Sequence, residues 1–228
     1  MAICCPKSVR ALALRLTRQD DCGAPIPEGT PNSRIATSAF VSLGMSPDIE
    51  AGEEIIVKNA SGAICIQDQD CDRVKGFNLT LMLCGVPMPV LEMLIGVDLL
   101  LDPLVPTDVI GGVIPDRNTS LACDDTVQLD LWSKNAEKGD CGPTQRNTYI
   151  RWAIVKALKW QLSGDITFSN TALEFELTGY AENNPLWDSS IAGEWDPTHV
   201  AQIQAGGPLA WACTPDLPPD VDDCAYVP

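Results

Sequence analysis

A chain of 228 residues with 45% hydrophobic and 20% charged side chains can bury one large core, and this composition excludes wholesale disorder. Its formal net charge of -16 repels phosphate backbones and anionic lipid, which argues against tight nucleic-acid binding and against adhesion to a membrane surface. The charge is also polarised. Before Asp20 every charged side chain is basic (Lys7, Arg10, Arg15, Arg18), and after Lys159 there is no Lys or Arg. Two readings stand: a solvated acidic tail, or two ends that meet different copies of the chain.

In chain order, Met1 to Arg10 holds Cys4, Cys5, Pro6 and Lys7 and no apolar run of the signal-peptide kind, so the expectation is synthesis and residence in a cytoplasm. Val9 to Thr17 reads as either a helix or an extended arm. Asp20 to Asn32, with Gly23, Pro25, Pro27, Gly29 and Pro31, reads as a loop. Glu53 to Lys58 and Ala63 to Gln67 read as the strands of a hairpin closed by Asn59-Ala60-Ser61-Gly62. Asp68, Asp70 and Asp72 hint at a calcium loop, but Arg73 and Leu79 stand where an EF-hand needs Gly and Glu, leaving a polar turn. Phe77, Leu79, Leu81 and Leu83 alternate with Asn78, Thr80 and Met82, the period of a half-buried strand. One helix is expected from Pro87 or Pro89 to Gly96. The apolar stretch Phe77 to Val105 is broken by Pro87, Pro89, Glu92, Asp98, Asp102 and Pro103, so it does not read as a membrane span.

Further along, Val127, Leu129 and Leu131 alternate with Gln128, Asp130 and Trp132. Ile150, Trp152, Ile154, Lys156, Leu158, Trp160 and Leu162 would share one face of a long strand, apolar at all but one place. After Ile166-Thr167-Phe168 and a Ser169-Asn170 turn, Leu173, Phe175 and Leu177 alternate with Glu174, Glu176 and Thr178. Beyond Tyr180 the composition turns to Asn, Pro, Trp, Gly and Asp and reads as irregular. Trp187, Trp195 and Trp211 must there fold back on the domain or anchor in a neighbour.

Catalytic motifs are missing. His199 is the only histidine, and no G-x-S-x-G, P-loop or H-E-x-x-H occurs; only a pair of carboxylates could serve a hydrolase. The 10 cysteines form no CxxC pair, so no metal, no cofactor and no obligatory disulfide framework is expected; most read as small buried apolar side chains.

Several ordered segments carry a resemblance. Arg15-Leu16-Thr17-Arg18 leads into Asp21-Cys22-Gly23-Ala24-Pro25, and Phe40-Val41-Ser42-Leu43 precedes Ser46-Pro47-Asp48-Ile49-Glu50-Ala51-Gly52-Glu53-Glu54-Ile55 and Asn59-Ala60-Ser61-Gly62. Lys75-Gly76-Phe77 opens a strand ending in Cys84-Gly85-Val86-Pro87, and Leu177-Thr178-Gly179-Tyr180-Ala181-Glu182-Asn183-Asn184-Pro185-Leu186-Trp187 closes the last strand. Between Arg15 and Trp187 the chain resembles the major tail tube protein of long-tailed, non-contractile bacteriophages, in particular those infecting actinobacteria.

That resemblance implies a mainly β protein: a β-sandwich or barrel with one flanking helix and extended arms, without catalytic residues. It implies hexameric rings stacked into the tail tube of a virion made in the host cytoplasm. Partners would be further copies of the chain, a tape-measure protein, and tail terminator and distal tail proteins, with DNA passing through the lumen unbound and no membrane involved. The expected layout is an arm and loop over 1–40, a β domain over 41–187 and an irregular acidic extension over 188–228. The channel comes from the resemblance and the faces from the residues, making Glu174, Glu176, Asp130, Gln128, Asn78 and Thr80 candidates for the lumen. Arg10, Arg15, Arg18, Trp187, Trp195 and Trp211 are candidates for arms that reach neighbouring copies. The competing class is a secreted or surface β-sandwich that binds carbohydrate or protein, which tryptophans and acidic residues would also suit.

Overall fold

Residues 8–20, 22–27, 30–85, 87–105, 109–114, 126–135, 149–163, 174–187, 197–214 and 217–221 are described by the computed structural model. Their elements are β1 (Ser8–Arg18), β2 (Arg34–Thr37), β3 (Phe40–Glu50), β4 (Glu54–Lys58), β5 (Ile64–Gln69), β6 (Arg73–Cys84), α1 (Met88–Ile95), β7 (Asp98–Leu101), β8 (Val109–Val113), β9 (Val127–Asn135), β10 (Tyr149–Leu162), β11 (Glu174–Ala181), α2 (Pro197–Gly206) and β12 (Leu209–Thr214). The protein is mainly β, as the alternation predicts.

The main sheet runs β2-β1-β9-β10-β11-β6-β3, with antiparallel neighbours throughout. Thr37 and Phe40 are consecutive strand ends separated by three Cα steps, at most about 11 Å, yet their strands stand at opposite ends of that order. Only a sheet rolled until its edges approach one another satisfies both facts. The joint is pinned where the Cys84 N–H donates to the Ala39 carbonyl at 2.9 Å. One apolar cluster fills the roll, with Leu14, Leu16, Ile35, Leu79, Leu81, Leu83, Val127, Leu129, Ile154, Trp160, Phe175 and Leu177 drawn from its strands.

Helix α1 completes that cluster. Proline in its first turn and Gly96 at φ 67° set its two ends, as the sequence predicts, and Val90, Leu91, Met93, Leu94 and Ile95 are all buried. A helix apolar on nearly every side belongs inside. An Arg18 Nη2–Glu92 Oε1 contact of 3.3 Å ties it to the end of β1.

Three expectations are corrected. Residues Ser8–Arg18 are not an arm; β1 lies inside the sheet between β2 and β9. Residues beyond 187 are not irregular throughout, because α2 is a second helix and β12 pairs with β10 from Tyr149↔Thr214 to Ile154↔Leu209. Finally, β10 does not keep a single face. Its register shifts between Ile154 and Ala157 and again between Leu158 and Gln161, where Lys159 takes φ 56°. Ile154, Ala157, Trp160 and Leu162 therefore meet the core, and Lys156 turns aside to Glu182 at 2.5 Å. Each bulge adds one residue and switches faces, so the polar residue that broke the alternation marked the first of them. Residues 166–170, Trp195 and the first seven residues lie outside the described set.

Two hairpins leave the roll. In β4–β5 the Asn59 Oδ1 accepts from the Ser61 and Ala63 N–H groups at 3.1 and 2.9 Å, and Gly62 takes φ 84°. This is the predicted turn. The second is β7–β8.

Gly179 of β11 faces the core, and a Cβ there would sit 2.7 Å from the indole of buried Trp160. Gly179→Ala is expected to lower stability by about 1–3 kcal/mol through overpacking, read as a shift in the urea midpoint; an unchanged midpoint would contradict this packing.

Candidate functional site

Directly opposed residues of antiparallel strands share a face. Glu174↔Cys84, Glu176↔Met82, Thr178↔Thr80 and Tyr180↔Asn78 across β11–β6, then Thr80↔Gly44 and Asn78↔Ser46 across β6–β3, define one polar face outside the roll. Four of the sequence candidates, Asn78, Thr80, Glu174 and Glu176, are thus brought together. Asn78, Thr80 and Glu174 are exposed, and Glu176 is half-buried, its Oε1 accepting from Ser163 Oγ at 2.8 Å. Beside them the Tyr180 hydroxyl donates to Asp48 Oδ2 at 2.9 Å, and Lys159 Nζ stands 5.7 Å from the Tyr180 ring centroid. Partial burial, then the bond to Asp48, raise the Tyr180 phenol above its ordinary pKa.

Gln128 and Asp130 are a correction. They lie on the non-core face of β9, as alternation predicts, but no water reaches that face: Asp130 is 0% and Gln128 4% exposed. Asp130 Oδ2 accepts from Arg15 Nη2 at 2.9 Å, and its Oδ1 accepts from Arg151 Nη2 and Nε at 2.9 and 3.1 Å. The guanidinium carbons of Arg15 and Arg151 stand 5.1 and 4.9 Å from the Trp132 ring centroid, within cation–π range. Gln128 links this cluster to the carboxy-terminal segment, donating from Nε2 to Asp130 Oδ2 at 2.9 Å and accepting from Trp187 Nε1 at 2.8 Å. Trp187, 1% exposed, packs with Ala153 and Val155 of β10 and with Ile203, Ala210 and Ala212 of α2 and β12. Gln204 of α2 donates to the Trp187 carbonyl. The segment after β11 is therefore a roof over β9 and β10.

Burial pushes the Asp130 carboxyl upward. The charges of Arg151 and Arg15, with their hydrogen bonds, outweigh that penalty and hold it below the usual carboxylate range.

The proposed arms divide. Arg15 and Trp187 are corrected, being internal ties rather than free side chains. Arg18 is partly exposed beside Glu92, and Arg10 is exposed on β1. Trp211 is 55% exposed and stacks at 5.5 Å and 34° on Trp152, its direct partner across β12–β10. Sequence reasoning missed the β4–β5 hairpin as a surface: Ile55, Ile56, Val57, Ile64 and Ile66 are each 42–56% exposed. The signal was present in β4, where Ile55, Ile56 and Val57 follow one another without polar alternation. Among the described residues no group of three or more His, Cys, Asp or Glu is placed to hold a metal ion, and no helix is long and apolar enough to cross a membrane.

No protein-family profile matches the chain, and no curated protein sequence matches it. Among solved structures it is similar to a chain of the PVC sheath–tube complex of an extracellular contractile injection system in its extended state, with 17% identity, TM-score 0.27, and coverage of 74% of this chain and 83% of that one. It is also similar to a chain of the anti-feeding prophage baseplate, with 13% identity, TM-score 0.30 and coverage of 78% and 93%. A chain of the anti-feeding prophage tube-terminating cap gives 13% identity, TM-score 0.27 and coverage of 78% and 90%. These neighbours belong to phage-like tail assemblies; TM-scores this low carry no argument about the present chain.

A carboxylate whose folded-state pKa is depressed contributes stability in full above the unfolded-state value and loses it as pH falls through the folded value. Asp130→Ala is expected to cost about 3–5 kcal/mol at neutral pH, leaving two guanidiniums buried without their anion. Urea unfolding from neutral to strongly acidic pH should show the gap to wild type closing in acid. A gap independent of pH would contradict the charge cluster.

Proposed function

We propose that this chain is a structural subunit whose copies join head to tail into rings, hexameric as the family resemblance suggests, that stack into a tail tube of the non-contractile type. The observation that carries the reading is the β4–β5 hairpin. The roll already holds a complete core, yet the chain extends two strands of half-exposed Ile and Val beyond it. Contiguous apolar surface of this kind on a soluble protein marks a protein–protein contact. The β7–β8 hairpin likewise exposes Leu100, Leu101, Ile110 and Val113, so each copy carries two unlike apolar projections. A contact between unlike surfaces propagates or closes into rings.

The polar face of β3, β6 and β11 suits a channel wall. Glu174, Glu176, Asn78 and Thr80 stand together there, and Asp48 adds a third carboxylate against Lys159. A wall that conducts DNA must not hold it, and carboxylates repel phosphates where cations would gain a contact at every step. On this reading the other partners are a tape-measure protein inside the tube and terminator and distal proteins at its ends. The particle is assembled from subunits made in a bacterial host.

Negative-stain microscopy and sedimentation of the purified chain across concentration test the assembly. Rings or stacked tubes are expected, and a strictly dimeric species at every concentration would refute it. In assembled particles, Glu174→Lys with Glu176→Lys is expected to leave the tube intact and slow DNA ejection, most at low salt. Ejection unchanged at low ionic strength would move these side chains off the channel.

A further inference from the structure

Hairpin β7–β8 turns one face to α1 and the other to solvent. Directly opposed residues share a face: Leu99 lies opposite Gly112, while Leu100 and Asp98 lie opposite Gly111 and Val113. A Cβ on Gly112 would stand 2.5 Å from Val97 Cγ1 and 3.0 Å from Met88 Sδ, so that face is closed against the two ends of α1. The other face is open. Leu100 and Val113 are 47% and 48% exposed, Gly111 adds no side chain beside them, and Asp98 stands exposed at the margin. The faces of β4–β5 differ in charge. Ile55, Val57 and Ile66 share one with Asp68, which lies directly opposite Ile55. On the other, Ile56 and Lys58 lie opposite Gln67 and Ile64, and Glu54 at the root accepts from Gln67 Nε2 at 3.2 Å. Among the described residues neither Lys58 nor Asp98 has an ion-pair partner.

We propose that these two open faces meet: Ile56, Ile64 and Lys58 of one copy dock on Leu100, Val113 and Asp98 of a second copy. This rests on the self-assembly reading and names its two surfaces. Charge selects the pairing. One face is apolar with a lone cation near the hairpin tip; the other is apolar with a carboxylate at its margin, and the stretch from Asp98 to Val113 contains no Lys or Arg. Lys58 can lay its stem over apolar surface and keep its ammonium at the rim beside Asp98. A rim pair of this kind fixes partner and register more than it adds affinity, which the apolar contact supplies. Neither face covers the other within one copy, where Ile64 is 53% and Leu100 47% exposed. A β4–β5 hairpin paired with its own counterpart would close a dimer and leave Leu100 and Val113 bare. Pairing with β7–β8 covers both and leaves each end of a growing assembly with an unused face, as a heterologous contact requires.

Charge reversal in the full chain tests the pairing. Lys58→Glu and Asp98→Lys are each expected to raise the concentration needed for assembly by about tenfold, because like charges then meet at the contact. The two together are expected to return it to within about twofold of wild type. Both side chains are exposed, so the circular dichroism of the subunit should not change. In parallel, a photo-crosslinking phenylalanine analogue replaces Ile64 in a mixture of isotopically labelled and unlabelled chains, irradiated after assembly. Mass spectrometry is expected to find intermolecular links into residues 98–113. Links that fall instead on β4–β5 or on the roll, single reversals that assemble at the wild-type concentration, or a double reversal no better than the singles overturn this pairing and leave self-assembly standing. A wild-type chain that never assembles overturns both.

Discussion

A carboxylate withdrawn from water between two guanidiniums holds three strands in one register. Asp130 lies on β9, Arg15 on β1 and Arg151 on β10, and every contact among them crosses between strands. Because side chains alternate in a strand, a slip of one residue would drive Asp130 into the Leu14–Leu131 face and the core leucines into the charge cluster. Such a slip is far costlier than any single lost contact. Buried ion pairs are weak contributors to net stability but strong penalties against wrong pairings. Here the penalty fixes how the sheet rolls, and with it where the hairpin and the polar face point.

The same cluster explains the tail. Gln128 passes one hydrogen bond to Asp130 and receives one from the Trp187 indole, so the roof is tied to the charges beneath it. Asn184 adds a bond of 2.6 Å to the Gly23 carbonyl, binding the same segment to the loop after β1. Once roofed, the β9–β10 face is closed to any partner. Among the described residues, what stays open is elsewhere: the hairpins β4–β5 and β7–β8, and the polar face of β3, β6 and β11. A rigid body with its contacts confined to projections is suited to repeated assembly, because each added copy meets the same geometry.

Legibility in the sequence followed the reach of local rules. The turn at Asn59–Gly62 and the cap at Gly96 depend on neighbouring residues and were readable to within a residue or two. The faces of β6 and β11 were readable because Leu79, Leu81, Phe175 and Leu177 alternate without interruption, which placed Asn78, Thr80, Glu174 and Glu176 on one surface. The same rule failed for Gln128 and Asp130. Alternation separates core from non-core, but whether the second face meets water depends on a segment that returns from dozens of residues away. Trp187, Ala153 and Val155 could have signalled the roof, since small apolar residues on a supposed outer face ask for cover. Strand β1 was ambiguous for a related reason: Arg15 looked like surface until its partner, 115 residues distant, was known.

The central claim is that the hairpin, and not the roofed body, carries association. Hydrogen–deuterium exchange read on dilute subunits and on assembled material tests this most directly. The amides of residues 54–69 should exchange quickly in the subunit and slow on assembly, while those of β9 and β10 should be slow in both states. Hairpin amides that exchange at the same rate before and after assembly would contradict the account.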